Sequence, residues 1–299
     1  MPAFNFIRSH FDLKNISNKT FGGERPLFNS QNLCIENVTI TQGESALKEC
    51  TNIIAKNCEF QGKYPFWHVN YFKIQNCIFT KDARAALWYS SNLNMSDCKI
   101  DAPKMFRKMN KLNLRNLVLS DALETLWDCE NVLIDNCKIE NGDYLCLNSK
   151  NITVNSLTLN GNYSFQGCSN LTITNSNLNS KDAFWEAENI TVINSTLDGE
   201  YLGWHSKNLH LINCKIKGTQ PLCYTKGLTL ENCEMDSDCD LAFEYSEDLN
   251  CDVTNTITSV KNPTSGIIRA YGIKNLINDE FCKKNANCHI HTLDGKYDL

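Results

Sequence analysis

The sequence predicts an all-β fold, a single-stranded parallel β-helix, and three observations predict it. A short motif recurs, an Asn followed by four alternating positions and a second Asn, as in Asn32-Leu-Cys-Ile-Glu-Asn37, Asn131-Val-Leu-Ile-Asp-Asn136 and Asn208-Leu-His-Leu-Ile-Asn213. Taking the second Asn as an anchor, the positions Asn37, Asn57, Asn76, Asp97, Asn116, Asn136, Ser156, Asn175, Asn194, Asn213 and Asn232 are spaced by 19–21 residues. Apolar residues stand at fixed offsets from every anchor: Ile35 to Leu230 two before it, Leu33 to Leu228 four before it, and Ile40 to Met235 three after it. Alternation at period two is the mark of strands. Between these runs lie only turn dipeptides such as Asn160-Gly161, Asp198-Gly199 and Lys217-Gly218, with no room for the helical segment of a leucine-rich repeat.

Taken in chain order, the pattern predicts one domain. Residues 1–31 form an N-terminal segment and cap, residues 32–258 about 11–12 regular rungs of three short strands each, and residues 259–299 a final irregular rung and a C-terminal cap. The anchor Asn fits this architecture because its side-chain amide can bond the same group one rung away and because Asn tolerates a left-handed bend. The Asn-x-Ser/Thr matches, such as Asn170-Leu-Thr and Asn189-Ile-Thr, fall on rung starts and read as ladder rather than as glycosylation sites. The tail from Cys282 to His291 contains soft ligands, but its spacing fits no structural zinc site, so it reads as a cap.

The composition, 34.0 kDa with 42% hydrophobic residues and a net charge of −5, describes globular material without the basic balance of a nucleic-acid or anionic-membrane partner. No apolar run reaches the length of a membrane span. The start, Met1-Pro2-Ala3-Phe4-Asn5-Phe6-Ile7-Arg8, lacks a basic region leading into an apolar one, which predicts a cytoplasmic chain. The 16 cysteines then read as reduced. Six of them, Cys58, Cys77, Cys98, Cys137, Cys214 and Cys233, directly follow an anchor, with Ser176 and Ser195 in the same column, as expected of small inward side chains.

All five tryptophans, Trp67, Trp88, Trp127, Trp185 and Trp204, stand nine residues before an anchor. The column ten before is apolar (Phe66, Leu87, Phe106, Leu126, Phe165, Phe184, Leu222), and the column eight before is polar, with His68, Tyr89, Lys108, Asp128, Glu186, His205 and Tyr224. With the apolar column inward, one flank of the helix carries two clusters: Trp67, His68, Trp88, Tyr89, Arg107, Trp127 and Asp128, and then Trp185, Glu186, Trp204, His205 and Tyr224. Aromatic rings interleaved with hydrogen-bonding groups are a means of holding sugars; they also mark protein interfaces. Glu186 with Asp182, or Asp128 with Asp121, offers the paired carboxylates of glycoside hydrolysis, and His205 stands one rung from Glu186 as an acid/base candidate. No phosphate loop, nucleophile elbow or metalloprotease motif occurs, so no cofactor and no metal are expected.

Several stretches on this flank and its approach, among them Lys63-Tyr-Pro-Phe-Trp67, Ala83-Arg-Ala-Ala-Leu-Trp-Tyr89, Ser180-Lys-Asp-Ala-Phe-Trp185, Gly199-Glu-Tyr-Leu-Gly-Trp204 and Gly218-Thr-Gln-Pro-Leu-Cys-Tyr224, give the chain its family resemblance. It resembles an uncharacterised bacterial domain-of-unknown-function family of right-handed, pectate-lyase-like β-helices over nearly its whole length. The resemblance implies the handedness and the fold and carries no activity with it. The leading expectation is a non-catalytic β-helix binding an oligosaccharide or a protein through the Trp flank. The alternatives are a carbohydrate-active hydrolase or lyase using Glu186, Asp182 and His205, and a scaffold or homo-oligomer in which the stripe is self-covered.

Overall fold

Apolar side chains at alternate positions and a corner residue that accepts a left-handed backbone suffice to coil a chain on itself. A computed structural model describes residues 12–298, which fall into two compact units, 12–153 and 154–298. In the first unit the six-residue strands Gln31–Glu36, Thr51–Lys56, Asn70–Gln75, Ser91–Ser96, Asn110–Arg115 and Glu130–Asp135 pair in parallel, each with the equivalent strand one rung on. The register stacks Leu33, Ile53, Phe72, Leu93, Leu112 and Val132 in one inward column, none more than 3% exposed. Shorter strands after the corner, Glu59–Phe60, Ile78–Phe79, Lys99–Ile100, Val118–Leu119 and Lys138–Ile139, make a second parallel sheet. The second unit repeats both sheets, with Ser169–Thr174, Glu188–Ile193 and Lys207–Ile212 in one and Asn177–Asn179, Thr196–Asp198 and Lys215–Lys217 in the other. Each unit is therefore a parallel β-helix.

At the corners the anchors take φ between 50° and 58° and bond one another through their side chains. Nδ2 of Asn76 donates to Asn57 at 2.7 Å, Asn136 to Asn116 at 2.8 Å and Asn232 to Asn213 at 2.8 Å. At the rung starts Asn189 likewise donates to Asn170 at 3.4 Å, so these amides are engaged in the ladder.

The third side of each rung is ladder-bonded without being extended. Residues twelve, ten and eight before each anchor all have positive φ, as at Tyr64, Phe66 and His68 or Asp182, Phe184 and Glu186. A left-handed residue with a Cβ costs about 1–2 kcal/mol. Rung-to-rung backbone bonds offset it: the N–H of Phe66 donates back to Ala46 O at 2.9 Å and that of His68 forward to Trp88 O at 3.0 Å.

All sixteen cysteines are free. The six after the anchors are buried, and the column proves to need an acceptor as well as a small volume. The N–H of Cys58 donates to Cys77 Sγ and that of Cys77 to Cys98 Sγ, both at 3.4 Å, just as the N–H of Ser176 donates to Ser195 Oγ at 3.0 Å. Burial pushes the Cys129 thiol, in a second inward column, up to about 12.

The coil extends beyond the expected rungs at both ends. Lys14–Ser17 and Thr20–Glu24 already pair in parallel with the next rung, although they belong to the segment expected as a cap; residues 1–11 of that segment lie outside the described residues. At the other end the strands Leu249–Lys261 and Ser265–Ile277, 13 residues each, are followed by the short helix Glu280–Asn285 and by Asn287–Thr292, which adds to the sheet beside Ser265–Ile277. The Cys282–His291 tail thus closes the coil, and among the described residues no cluster of His, Cys, Asp or Glu is placed to hold a metal. No helix among them is long and apolar enough to cross a membrane.

Candidate functional site

The left-handed third side decides what the aromatic flank can do. The column ten before the anchors is inward and buried, including Phe66, Leu87, Phe106, Phe165, Phe184 and Leu222 at 0% exposure. The Trp column next to it is half-buried and the polar column after it exposed. With rungs about 4.8 Å apart, rings at one offset stack on one another rather than lie flat on the surface.

In the first unit that stack is closed. Trp67 and Trp88 are parallel at 5.2 Å, and the Arg107 guanidinium lies 4.4 Å from the ring centres of both Trp88 and Trp127. Trp88 therefore has an indole on one side and a guanidinium on the other. Each indole N–H is also engaged with a backbone carbonyl of the next rung: Trp67 donates to Ala85 O at 2.6 Å, Trp88 to Lys104 O at 2.6 Å and Trp127 to Tyr144 O at 2.8 Å. Glu124 holds Arg107 at 3.2 Å and Lys104 at 3.1 Å. Outside this stack His68 lies against Tyr89 at 5.1 Å, and Asp128 is exposed, its N–H donating to Leu147 O at 2.9 Å.

The second unit places the same residue type in a different state. Trp185 and Trp204 stack at 5.7 Å, with Tyr163, Tyr201 and Tyr224 around them, yet both indole nitrogens are buried without a partner. The carbonyls that the first unit's pattern would offer them accept from other donors instead. The N–H of Trp204 closes a turn onto Tyr201 O at 3.3 Å, and the Cys223 thiol donates to Gln220 O at 3.1 Å. The turn leading into this stretch has no room for a side chain: a Cβ on Gly218, whose φ is +103°, would lie 2.4 Å from Gly199 O, as one on Gly43 would lie 2.0 Å from Gly23 O in the first unit.

These rings line a cavity of about 520 Å³, the size of a small-ligand site, together with Lys181, Asp182, Gln220, Cys223 and Glu244. Asp182 is 4% exposed and its Oδ1 has no hydrogen-bond partner. Burial pushes its carboxyl up from its ordinary value, with Lys181 opposing and Glu200 reinforcing the rise. Lys181 is paired with Glu200 at 3.2 Å, and Glu244 with Lys261 at 2.7 Å. Burial also raises the Tyr224 phenol and pushes the Cys223 thiol up to about 12.

Of the residues singled out from the sequence, the structure brings Asp182, Trp185, Trp204 and Tyr224 to one cavity. Glu186 and His205 stand on the exposed column and are not among its lining residues; His205 stacks on Trp204 at 5.7 Å and on Tyr224 at 5.1 Å. Trp67, His68, Trp88, Tyr89, Arg107, Trp127 and Asp128 belong to the first unit's flank. Sequence reasoning did not single out Tyr163, Lys181, Tyr201, Gln220, Cys223 or Glu244. The usable signal was the column twelve before the anchors, which holds Tyr64, Tyr144, Tyr163, Asp182, Tyr201 and Gln220.

Comparison with known proteins adds the following. The model of the family described as Protein of unknown function (DUF3737) matches residues 14–291. No curated protein matches. Among solved structures the chain is similar to the Streptococcus pneumoniae surface protein and adhesin PfbA, at 9% identity and a TM-score of 0.46, covering 92% of this chain and 90% of that one. It is also similar to the A-module of the Azotobacter vinelandii mannuronan C-5 epimerase AlgE4 (10% identity, TM-score 0.35, 93% and 89% covered). A third is a PL6 alginate lyase solved with a trisaccharide (9% identity, TM-score 0.35, 92% and 86% covered).

Proposed function

The chain belongs to the DUF3737 family, and from its own chemistry we propose that it is a glycan-binding β-helix whose ligand seats in the cavity of the second unit. One observation carries this reading: two indole N–H donors and one carboxylate oxygen, all buried and all without partners, belong to residues lining one aromatic cavity. An unmade buried hydrogen bond costs about 1–3 kcal/mol, so three of them on residues of one cavity call for a partner that arrives from outside. A sugar offers hydroxyl oxygens that accept from the indoles and hydroxyl protons that Asp182 can accept, while its apolar faces meet the rings. Reaching the indole nitrogens takes a rotation of the rings, so binding changes their surroundings.

Tryptophan fluorescence against uronic-acid, neutral and amino-sugar oligosaccharides tests the reading, with product analysis on the same samples. A saturable shift, lost in Trp204→Phe and without cleavage, is the expected result; no shift with any sugar refutes it. A catalytic reading has one observation in its favour, the desolvated carboxyl of Asp182, since a raised carboxyl is what a general acid requires. Cleavage products that vanish in Asp182→Asn would replace binding by hydrolysis.

A further inference from the structure

We infer that the ligand of this cavity carries an ammonium group: the site takes a saccharide with a free amine, its cation held among the faces of Tyr163, Tyr201, Trp204 and Tyr224 with Asp182 as counter-charge. The inference rests on the glycan reading for the sugar and on a separate charge argument for the amine. Three charged side chains line the cavity, Lys181, Asp182 and Glu244. Lys181 is neutralised by Glu200 at 3.2 Å and Glu244 by Lys261 at 2.7 Å. Asp182 is left with a buried oxygen that nothing in the protein satisfies. Lys181, already paired with Glu200, offsets the burial of Asp182 only in part; an incoming cation removes the remaining cost, whereas a second acid in the ligand would add to it.

The aromatic lining points the same way. Ring faces attract cations, and a cage of several rings beside a carboxylate is suited to an ammonium. The chain already shows this affinity on the same flank. Lys48 lies 5.8 Å from the Trp67 ring centre, Arg107 4.4 Å from two indoles, and Lys181 5.3 Å from Tyr201. In the first unit the protein fills its aromatic stack with its own guanidinium. In the second, the protein's own cation, Lys181, reaches only the outlying ring of Tyr201, and the place beside Trp204 and Tyr224 is left to a ligand. An ammonium donates and cannot accept, so the indole N–H groups of Trp185 and Trp204 require acceptors elsewhere on the same molecule, which sugar hydroxyls supply.

The test titrates the full chain by calorimetry and tryptophan fluorescence with four probes: a β-1,4-linked glucosamine tetramer, its fully N-acetylated form, the corresponding glucose tetramer, and choline. The expected result is binding of the glucosamine tetramer at least tenfold tighter than the acetylated or neutral tetramers. Asp182→Asn removes that preference and Glu186→Gln, outside the cavity lining, keeps it. Equal binding of all three tetramers overturns the ammonium site while leaving the glycan reading intact. Choline binding with no response to any tetramer keeps the ammonium site and overturns the glycan reading. No response to any of the four overturns both. The comparison of amine with acetamide uses the unaltered protein, so it decides even where a variant fails to fold.

Discussion

The two aromatic flanks use the same offset on the same kind of coil and reach opposite ends. In the first unit Trp67, Trp88 and Trp127 each donate to a carbonyl of the next rung, and Arg107 fills the space between two of the rings. In the second, Trp185 and Trp204 find those carbonyls engaged, one by a backbone turn and one by a thiol, and a cavity remains beside them. The contrast teaches that a tryptophan column is not itself a site. What differs between the flanks is whether the matching carbonyls accept from the indoles or from other donors, here a backbone N–H and a thiol.

That comparison can be broken most forcefully at Arg107. Arg107→Ala takes the cation from two indoles and from Glu124, and should cost about 2 kcal/mol in urea unfolding, whereas Lys181→Ala in the second unit should leave the midpoint where it is. A small loss at Arg107 would mean that the closed stack contributes little. The indoles themselves come next. Trp88→Phe and Trp204→Phe remove similar ring volume, but only the first abandons a made hydrogen bond, so it should be the more destabilising by about 1 kcal/mol. Equal losses would dissolve the distinction between the flanks.

A subtler effect belongs to Asp182. Its carboxyl is raised by burial, so the folded chain binds a proton more readily than the unfolded one, and stability falls as pH rises from the ordinary carboxylate range through the raised value. Asp182→Asn should flatten that slope and be the more stable protein at neutral pH, as thermal melts at pH 4–8 would show; an unchanged slope would place the titration elsewhere. Smallest of all, light scattering should report a particle of 34.0 kDa. A doubled mass would favour a self-covered stripe over an open cavity.

The inward columns were legible in the sequence because period-two alternation survives any local detail of the turns: Leu33, Ile53 and Phe72 stand where the anchors put them. So were the free cysteines and the gathering of the tryptophans on one flank, but not their half-burial, since alternation alone puts that column outward. The third side was not legible as a left-handed ladder, since Phe66, Leu87 and Phe184 are bulky residues that individually avoid positive φ and hold it here only through bonds to neighbouring rungs. For the same reason the candidate site was half visible. Asp182 could be noticed as a carboxylate, but its separation from Glu186 and His205, one lining the cavity and two on the exposed column, follows from alternate left-handed residues that leave no mark in composition.

The uniformity of that third side has a consequence for how such a chain can change. Because each rung from Asn37 to Asn232 takes positive φ at the same three offsets, and the last four anchor-to-anchor steps from Ser156 to Asn232 are all 19 residues, these turns are close to interchangeable. Duplicating the 19 residues 195–213 would lengthen the aromatic recess by one tread of about 4.8 Å and add one further Tyr and Trp to it. Ligand length could then be matched by counting turns, without redesigning a loop.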